Sequence, residues 1–216
     1  MALHIGILIS GRGTNLQALI DACREPEFPA RIALVLSNNA EAPGLARATD
    51  ANIPTRVVDH RDFGDHYAYG EAVNAALEEA GVELVCLAGF MRLLSESFVS
   101  RWRDRIINVH PSLLPAFKGL NVHERVLAGG VRFSGCTVHF VRQEMDDGPV
   151  IVQSVVPVAP DDTPKTLAAR VLVTEHRCYP LTVRLIAEGR VRVRNERVLI
   201  EGGKLTEGVM INPAID

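Results

Sequence analysis

No apolar stretch in this 216-residue chain approaches the roughly 20 residues that a helix needs to cross a bilayer. The start, Met1-Ala2-Leu3-His4-Ile5, lacks the basic flank and cleavage site of a secretory leader, and its apolar run is short. Neither a membrane-spanning nor an exported protein is expected, and the expected location is the cytoplasm. Cysteine is scarce and scattered: Cys23, Cys86, Cys136 and Cys178 form no C-x-x-C pair. That spacing argues against a disulfide framework or a zinc cage and predicts reduced, mostly buried thiols. Charge of one sign is lacking as well. With 23 Lys+Arg against 26 Asp+Glu, the net charge of -3 offers no general attraction to nucleic acid or anionic membrane. Any anionic ligand must be held locally. No linker, repeat or low-complexity tract interrupts the chain, so a single continuous domain over 1–216 is expected.

What is present is a globular balance, 47% hydrophobic and 23% charged, at a length suited to one α/β domain. Buried-type strands at 3–9, 32–37, 55–58, 83–88 and 105–110 alternate with helical patterns at 15–24, 43–51, 66–80 and 96–103. This alternation, with near-continuously apolar strands, predicts a doubly wound, mostly parallel sheet. After Gly130 the pattern changes. Segments 136–141 and 150–158 suit antiparallel strands, and 164–188 a long helix that Pro180 should kink or interrupt. Segments 190–194 and 197–200 suit a hairpin, and a loosely ordered tail is expected beyond Lys204.

Ser10-Gly11-Arg12-Gly13-Thr14-Asn15 joins the first strand to the first helix. Glycines permit close backbone approach, and free amides at a helix start favour an anion. The loop does not suit a dinucleotide. Leu16 stands where G-x-G-x-x-G needs its third glycine, and the second strand ends in Ser37-Asn38-Asn39 without an acidic residue for a ribose. No G-K-[ST] follows, which excludes a P-loop. A small phosphate monoester on Gly13, Thr14 and Asn15 is the better inference; the alternative is a tight turn with an Asn cap and no ligand.

In Asn108-Val109-His110-Pro111, residues i and i+2 of a strand face one side. The proline places His110 at the strand end. An imidazole able to move protons, beside an amide able to donate to developing negative charge, suits acyl transfer. On spacing alone the same residues also suit a satisfied histidine closing a buried strand. Thr137 and His139 share one face of the later strand, and Asp146-Asp147-Gly148-Pro149 follows as a polar turn. A carboxylate beside His110 would favour its protonated form, but spacing does not say whether Asp146 reaches it.

The glycine-rich start, Gly89-Phe90-Met91-Arg92-Leu93-Leu94, Asn108-Val109-His110-Pro111-Ser112-Leu113-Leu114-Pro115 and Met145-Asp146-Asp147-Gly148-Pro149-Val150 occur in fixed order. From Ile5 to about Gly189 the chain closely resembles the folate-dependent phosphoribosylglycinamide formyltransferase (glycinamide ribonucleotide transformylase) family. The resemblance implies a Rossmann-like formyltransferase fold and formyl transfer from the co-substrate 10-formyltetrahydrofolate to the amine of glycinamide ribonucleotide in purine biosynthesis, without metal. It implies that His110 is the general acid/base, that Asn108 stabilises the oxyanion, and that Asp146 sets the protonation of His110. Gly13, Thr14, Asn15 and Glu175 would bind the ribonucleotide. His66, Met91, Arg92, Leu93, Leu94, Asn108 and Met145 would bind the folate, with the Met91–Leu94 backbone reading its ring. By the same resemblance, 1–110 is a phosphate-binding half, 111–200 a folate-loop and C-terminal half, and 201–216 a tail.

Three positions depart from the family pattern. His66 stands where an arginine often contacts the folate, Asp147 replaces a glycine, and Thr14 replaces a serine while keeping the hydroxyl. Expected partners are the two small molecules alone, with no nucleic acid or membrane, in a monomer or homodimer. Hydrolysis of 10-formyltetrahydrofolate is the related alternative, but it gives the phosphate loop no use. Formylation of methionyl-tRNA would want a basic RNA-binding domain, and a zinc hydrolase would want ligand spacings that His110, His123, His139 and Asp146 do not have. His123 suits a surface or capping role, and His139 an orienting one.

Overall fold

The computed structural model describes residues 2–204, 207, 208 and 210–213. The remaining positions of the expected loose tail, 205, 206, 209 and 214–216, lie outside the described residues. A seven-stranded sheet in the order β3-β2-β1-β4-β5-β6-β7 forms the centre of the molecule. Its strands are β1 (Leu3–Ile9), β2 (Ala30–Ser37), β3 (Thr55–Val57), β4 (Leu84–Leu87), β5 (Ile106–His110), β6 (Phe133–Phe140) and β7 (Val150–Pro157). Pairing is parallel from β3 through β5, then antiparallel for β5–β6 and β6–β7. The doubly wound, mostly parallel architecture expected from the apolar runs is therefore present.

Residue alternation distributes β1 between two cores. Ile5, Ile7 and Ile9 join the core that holds α1 (Thr14–Arg24) and α6 (Pro164–Ala187), with Leu16, Leu19, Val171 and Tyr179. Leu8 joins the opposite core with α3 (His66–Glu79) and α4 (Glu96–Arg101), through Val73, Leu77, Phe98 and Trp102. Two more helices, α2 (Gly44–Asp50) and α5 (Val122–Ala128), complete the set, with a 3-10 turn at His60–Asp62. Neither α5 nor that turn is expected from the sequence.

Of the two outcomes expected at Pro180, a kink or a break, the break does not occur: α6 runs from Pro164 to Ala187 with the proline inside it. The lost N–H is outweighed by burial on both sides, where Cys178, Tyr179, Thr182 and Val183 are all buried. Tyr179 also donates to the Leu87 carbonyl at 2.9 Å, fastening the helix to β4. The hairpin β8 (Val191–Arg194) and β9 (Arg197–Ile200) follows as expected.

The strand order matters for function. The chain lays β2 and β3 on one side of β1, then crosses to place β4 on the other. The loops after β1 and β4 thus diverge and leave a crevice at the carboxyl ends of the strands, where open α/β sheets bind ligands. The end of β5 opens beside it.

Candidate active site

The β1–α1 loop forms one half of the crevice. Gly13 caps α1 in the left-handed region, φ 68, and no side chain caps the helix. The first-turn amides are therefore free for an anion. A Cβ at Gly13 would meet the Gly44 Cα at 2.8 Å, so glycine is needed for conformation and for packing together. A 240 Å³ hollow is lined by Ser10 to Asn15 with Ala88, Gly89 and Met91. Asn15 is not a cap. Its Nδ2 donates to Glu175 Oε2 at 2.7 Å across 160 residues of sequence, while its Oδ1 is buried without a partner. Burial pushes the Glu175 carboxyl above its ordinary value, against the opposing hydrogen bond from Asn15.

Ser10 ties the two loops together. Its hydroxyl donates to Asn38 Oδ1 at 2.6 Å and accepts from the Met91 N–H at 2.8 Å. The Met91 amide is thus already engaged, which narrows the backbone groups that the 91–94 turn offers a ring.

At the end of β5, Asn108 lies opposite His139 and His110 opposite Thr137. The period-two inference holds, and the antiparallel register of β6 adds a facing pair. His110 presents Nε2 to the Phe117 carbonyl at 3.0 Å and Nδ1 to Asp146 Oδ2 at 3.3 Å. Both ring nitrogens face acceptors, so an imidazolium has a partner for each N–H. Asp146 takes the left-handed conformation, φ 53, and is held by the Gly119 N–H at 2.8 Å. His139 directs Nδ1 at the Phe140 carbonyl, 2.9 Å away, and Nε2 at Asn108 Nδ2, 3.3 Å away. Burial lowers the His139 pKa, with the Phe140 carbonyl and Asp146 opposing. A neutral ring protonated on Nδ1 donates to Phe140 and accepts from the Asn108 amide, which orients that amide. Thr137 accepts from the Leu114 N–H at 3.0 Å and donates to the Ser112 carbonyl at 2.7 Å, pinning the segment after His110.

Asn108, His110 and Asp146 line a 580 Å³ cavity with Gly89, Met91, Arg92, Leu93 and Met145. Leu94 and His139 line a smaller 150 Å³ pocket that shares Asn108 and Asp146. Met91 and Gly89 border both the large cavity and the hollow at the β1–α1 loop, so the two expected ligand sites adjoin. His66 is set apart. It is exposed and lines a 210 Å³ hollow with Arg92, which alone connects it to the cavity. His123 corrects a sequence expectation. It lines the large cavity with His110, its Nδ1 is buried without a partner, and burial lowers its pKa against Glu124. The Phe117 carbonyl and the Gly119 amide were missed by sequence reasoning, since backbone groups carry no residue signature; Gly119, φ 80, was the one available sign.

A large cavity beside a loop of uncapped helix-start amides, with an amide, an imidazole and a carboxylate at their junction, suits an acyl-transfer enzyme. The chain belongs to the formyl transferase family, whose profile matches residues 3–183. It is 52% identical over 191 residues to the trifunctional purine biosynthetic protein adenosine-3 of Gallus gallus, covering 88% of this chain and 19% of that protein. The chain thus spans about a fifth of such relatives. It is 40% identical to the phosphoribosylglycinamide formyltransferase of Haemophilus influenzae, covering 96% of this chain and 98% of that one. The glycinamide ribonucleotide transformylase 1 structure from Symbiobacterium toebii superposes with a TM-score of 0.90 at 47% identity, covering 92% of this chain and 94% of that one.

Proposed function

We propose that the chain transfers the formyl group of 10-formyltetrahydrofolate to the amine of glycinamide ribonucleotide, giving formylglycinamide ribonucleotide and tetrahydrofolate in purine biosynthesis. The observation that carries this is the meeting of Asn108, His110 and Asp146 where the large cavity adjoins the loop at Gly13. Gly13, Thr14 and Asn15 hold the phosphate, and Glu175 the glycinamide end. Met91, Arg92, Leu93, Leu94, Met145 and Asn108 hold the folate ring, and His66 lies toward its tail.

The free amine attacks the formyl carbon, forming a C–N bond as the carbonyl pair moves onto oxygen. Asn108 Nδ2 donates to that oxyanion, and the positive charge of protonated His110, whose N–H groups face Phe117 and Asp146, stabilises it through space. A proton leaves the attacking nitrogen and another reaches N10 of the folate, with His110 as carrier and Asp146 holding its charge. The C–N10 bond then breaks and the carbonyl re-forms. The step needs no metal on this account, because amine, donors and proton carrier suffice.

Residues 1–216 act as one formyltransferase domain: 1–110 the phosphate-binding half, 111–200 the folate-loop and C-terminal half. It works in the cytoplasm as a monomer or homodimer, without nucleic acid or membrane, in keeping with its net charge of -3 and four free cysteines. Steady-state release of tetrahydrofolate is the test. Release should require glycinamide ribonucleotide and survive chelation of metals; equal turnover with water as acceptor would show a hydrolase instead.

A further inference from the structure

Loop 141–148 joins β6 to β7 and carries Asp146 into the site. Its base is closed, because the Phe140 N–H donates to the Pro149 carbonyl at 2.9 Å. Gly148 lies so close that an added Cβ would meet the Phe140 carbonyl oxygen at 1.7 Å. The later half of the loop is staked to the segment after β5, by Gly119 with Asp146 and by Lys118 with Asp147. The earlier half is staked by Arg142, which plays no part in the reaction above.

The Arg142 side chain is 12% exposed. Its Nε donates to Glu196 Oε2 at 2.7 Å, its Nη2 to Asp104 Oδ1 at 2.7 Å, and its Nη1 to the Val141 carbonyl at 3.1 Å. Glu196 also pairs with Arg103. The two carboxylates come from separate places: Asp104 just before β5, and Glu196 in the turn between β8 and β9. Both hold left-handed backbone, φ 57 and φ 54, a conformation uncommon for a non-glycine residue. Between the two stakes Gln143, Glu144 and Met145 are exposed, and they line the 150 Å³ pocket together with Arg142 and Asp146.

We propose that Arg142, clamped between Asp104 and Glu196, is a positioning residue that sets loop 141–148 over the ring pocket. The β8–β9 hairpin thereby becomes part of the active-site frame. A loop staked at both ends has less freedom to lose when a ligand is covered, so the clamp favours binding by preorganisation. Arginine suits the task, because one planar guanidinium reaches two carboxylates and a carbonyl in one arrangement. Asp104 and Glu196 are 44% and 54% exposed, so these ion pairs contribute little to global stability. Their effect should be local. Its kinetic consequence rests on the formyl-transfer function proposed above.

Two variants test this: Arg142→Ala, and the double variant Asp104→Asn with Glu196→Gln, which removes the clamp without touching the pocket wall. In the ligand-free protein both should raise hydrogen exchange of amides in 141–147 by about fivefold or more, with the thermal midpoint moving by about 2 °C or less. Both should raise KM for 10-formyltetrahydrofolate about five- to tenfold and change kcat by less than about threefold. Unchanged exchange in the double variant would overturn the clamp. A raised KM in Arg142→Ala alone would also overturn it, since Arg142 would then touch the cofactor directly. Wild-type protein without formyl transfer would defeat the proposed function only, and exchange would still decide the clamp.

Discussion

Replacing Asp146 with asparagine isolates the charge that faces His110. The carboxylate lies 3.3 Å from His110 Nδ1, with side chains only 7% and 11% exposed. At that distance a unit charge pair is worth about 5 kcal/mol at an effective permittivity of about 20, and about 1 kcal/mol in bulk water. Low exposure puts the pair toward the upper end. Because the same Oδ2 accepts from the Gly119 N–H, an asparagine that keeps that bond leaves a neutral oxygen before Nδ1 and removes the charge alone. The imidazolium loses its counter-charge, and the oxyanion loses the positive charge that this pairing supports. With about 1.4 kcal/mol per decade, kcat should fall about 10²- to 10³-fold, in line with the loss of one oxyanion donor. The thermal midpoint should move by a few degrees at most, because the loop keeps Gly119 and Lys118. Steady-state tetrahydrofolate release at saturating substrates is the assay, with a melt to confirm folding. Folded Asp146→Asn protein that keeps more than a third of wild-type kcat would refute the role given to this charge.

Glu175 is raised by burial, so the folded state holds its proton more tightly than the unfolded chain. Its contribution to stability is full below the ordinary carboxyl value of about 4.3 and is lost as pH rises through the raised folded value. Glu175→Gln should therefore flatten the urea midpoint between acid and neutral pH and raise KM for the ribonucleotide; an unaltered pH slope would contradict this. His139 is shifted the other way: its contribution is full above about 6.5 and lost as pH falls through the lowered folded value. His139→Gln should reduce that acid loss and, by releasing the Asn108 amide, lower kcat about tenfold, and kcat equal to wild type would show that Asn108 needs no such support. Gly13→Ala meets both a left-handed φ and the Gly44 Cα. It should destabilise by about 1–3 kcal/mol and weaken ribonucleotide binding, with chemical denaturation and KM as the checks.

What was legible in the sequence was whatever depends on near neighbours. The strands β1, β2, β4 and β5 could be read because parallel strands buried on both faces are apolar along their length, whereas β3, Thr55-Arg56-Val57, is exposed throughout. The shared face of Asn108 and His110 followed from the two-residue period of a strand, and the free helix start at Gly13 from its glycines. At Pro180 local preference left a break open, whereas burial of Tyr179 and Val183 keeps α6 continuous. Local preference misled at His123, whose place in the cavity depends on where α5 docks.

The residues Asn108, His110 and Asp146 and their order belong to the sequence alone; their meeting belongs to the tertiary structure. Only the antiparallel pairing of β6 with β5 starts loop 141–148 beside Ile106, from where it folds across to His110, and only Gly119 in its left-handed turn gives Asp146 an amide to rest on. The bond from Asn15 to Glu175 likewise needs α6 to cross the sheet. Side-chain periodicity reaches a few residues along the chain, whereas a catalytic site is built from groups that only packing brings together.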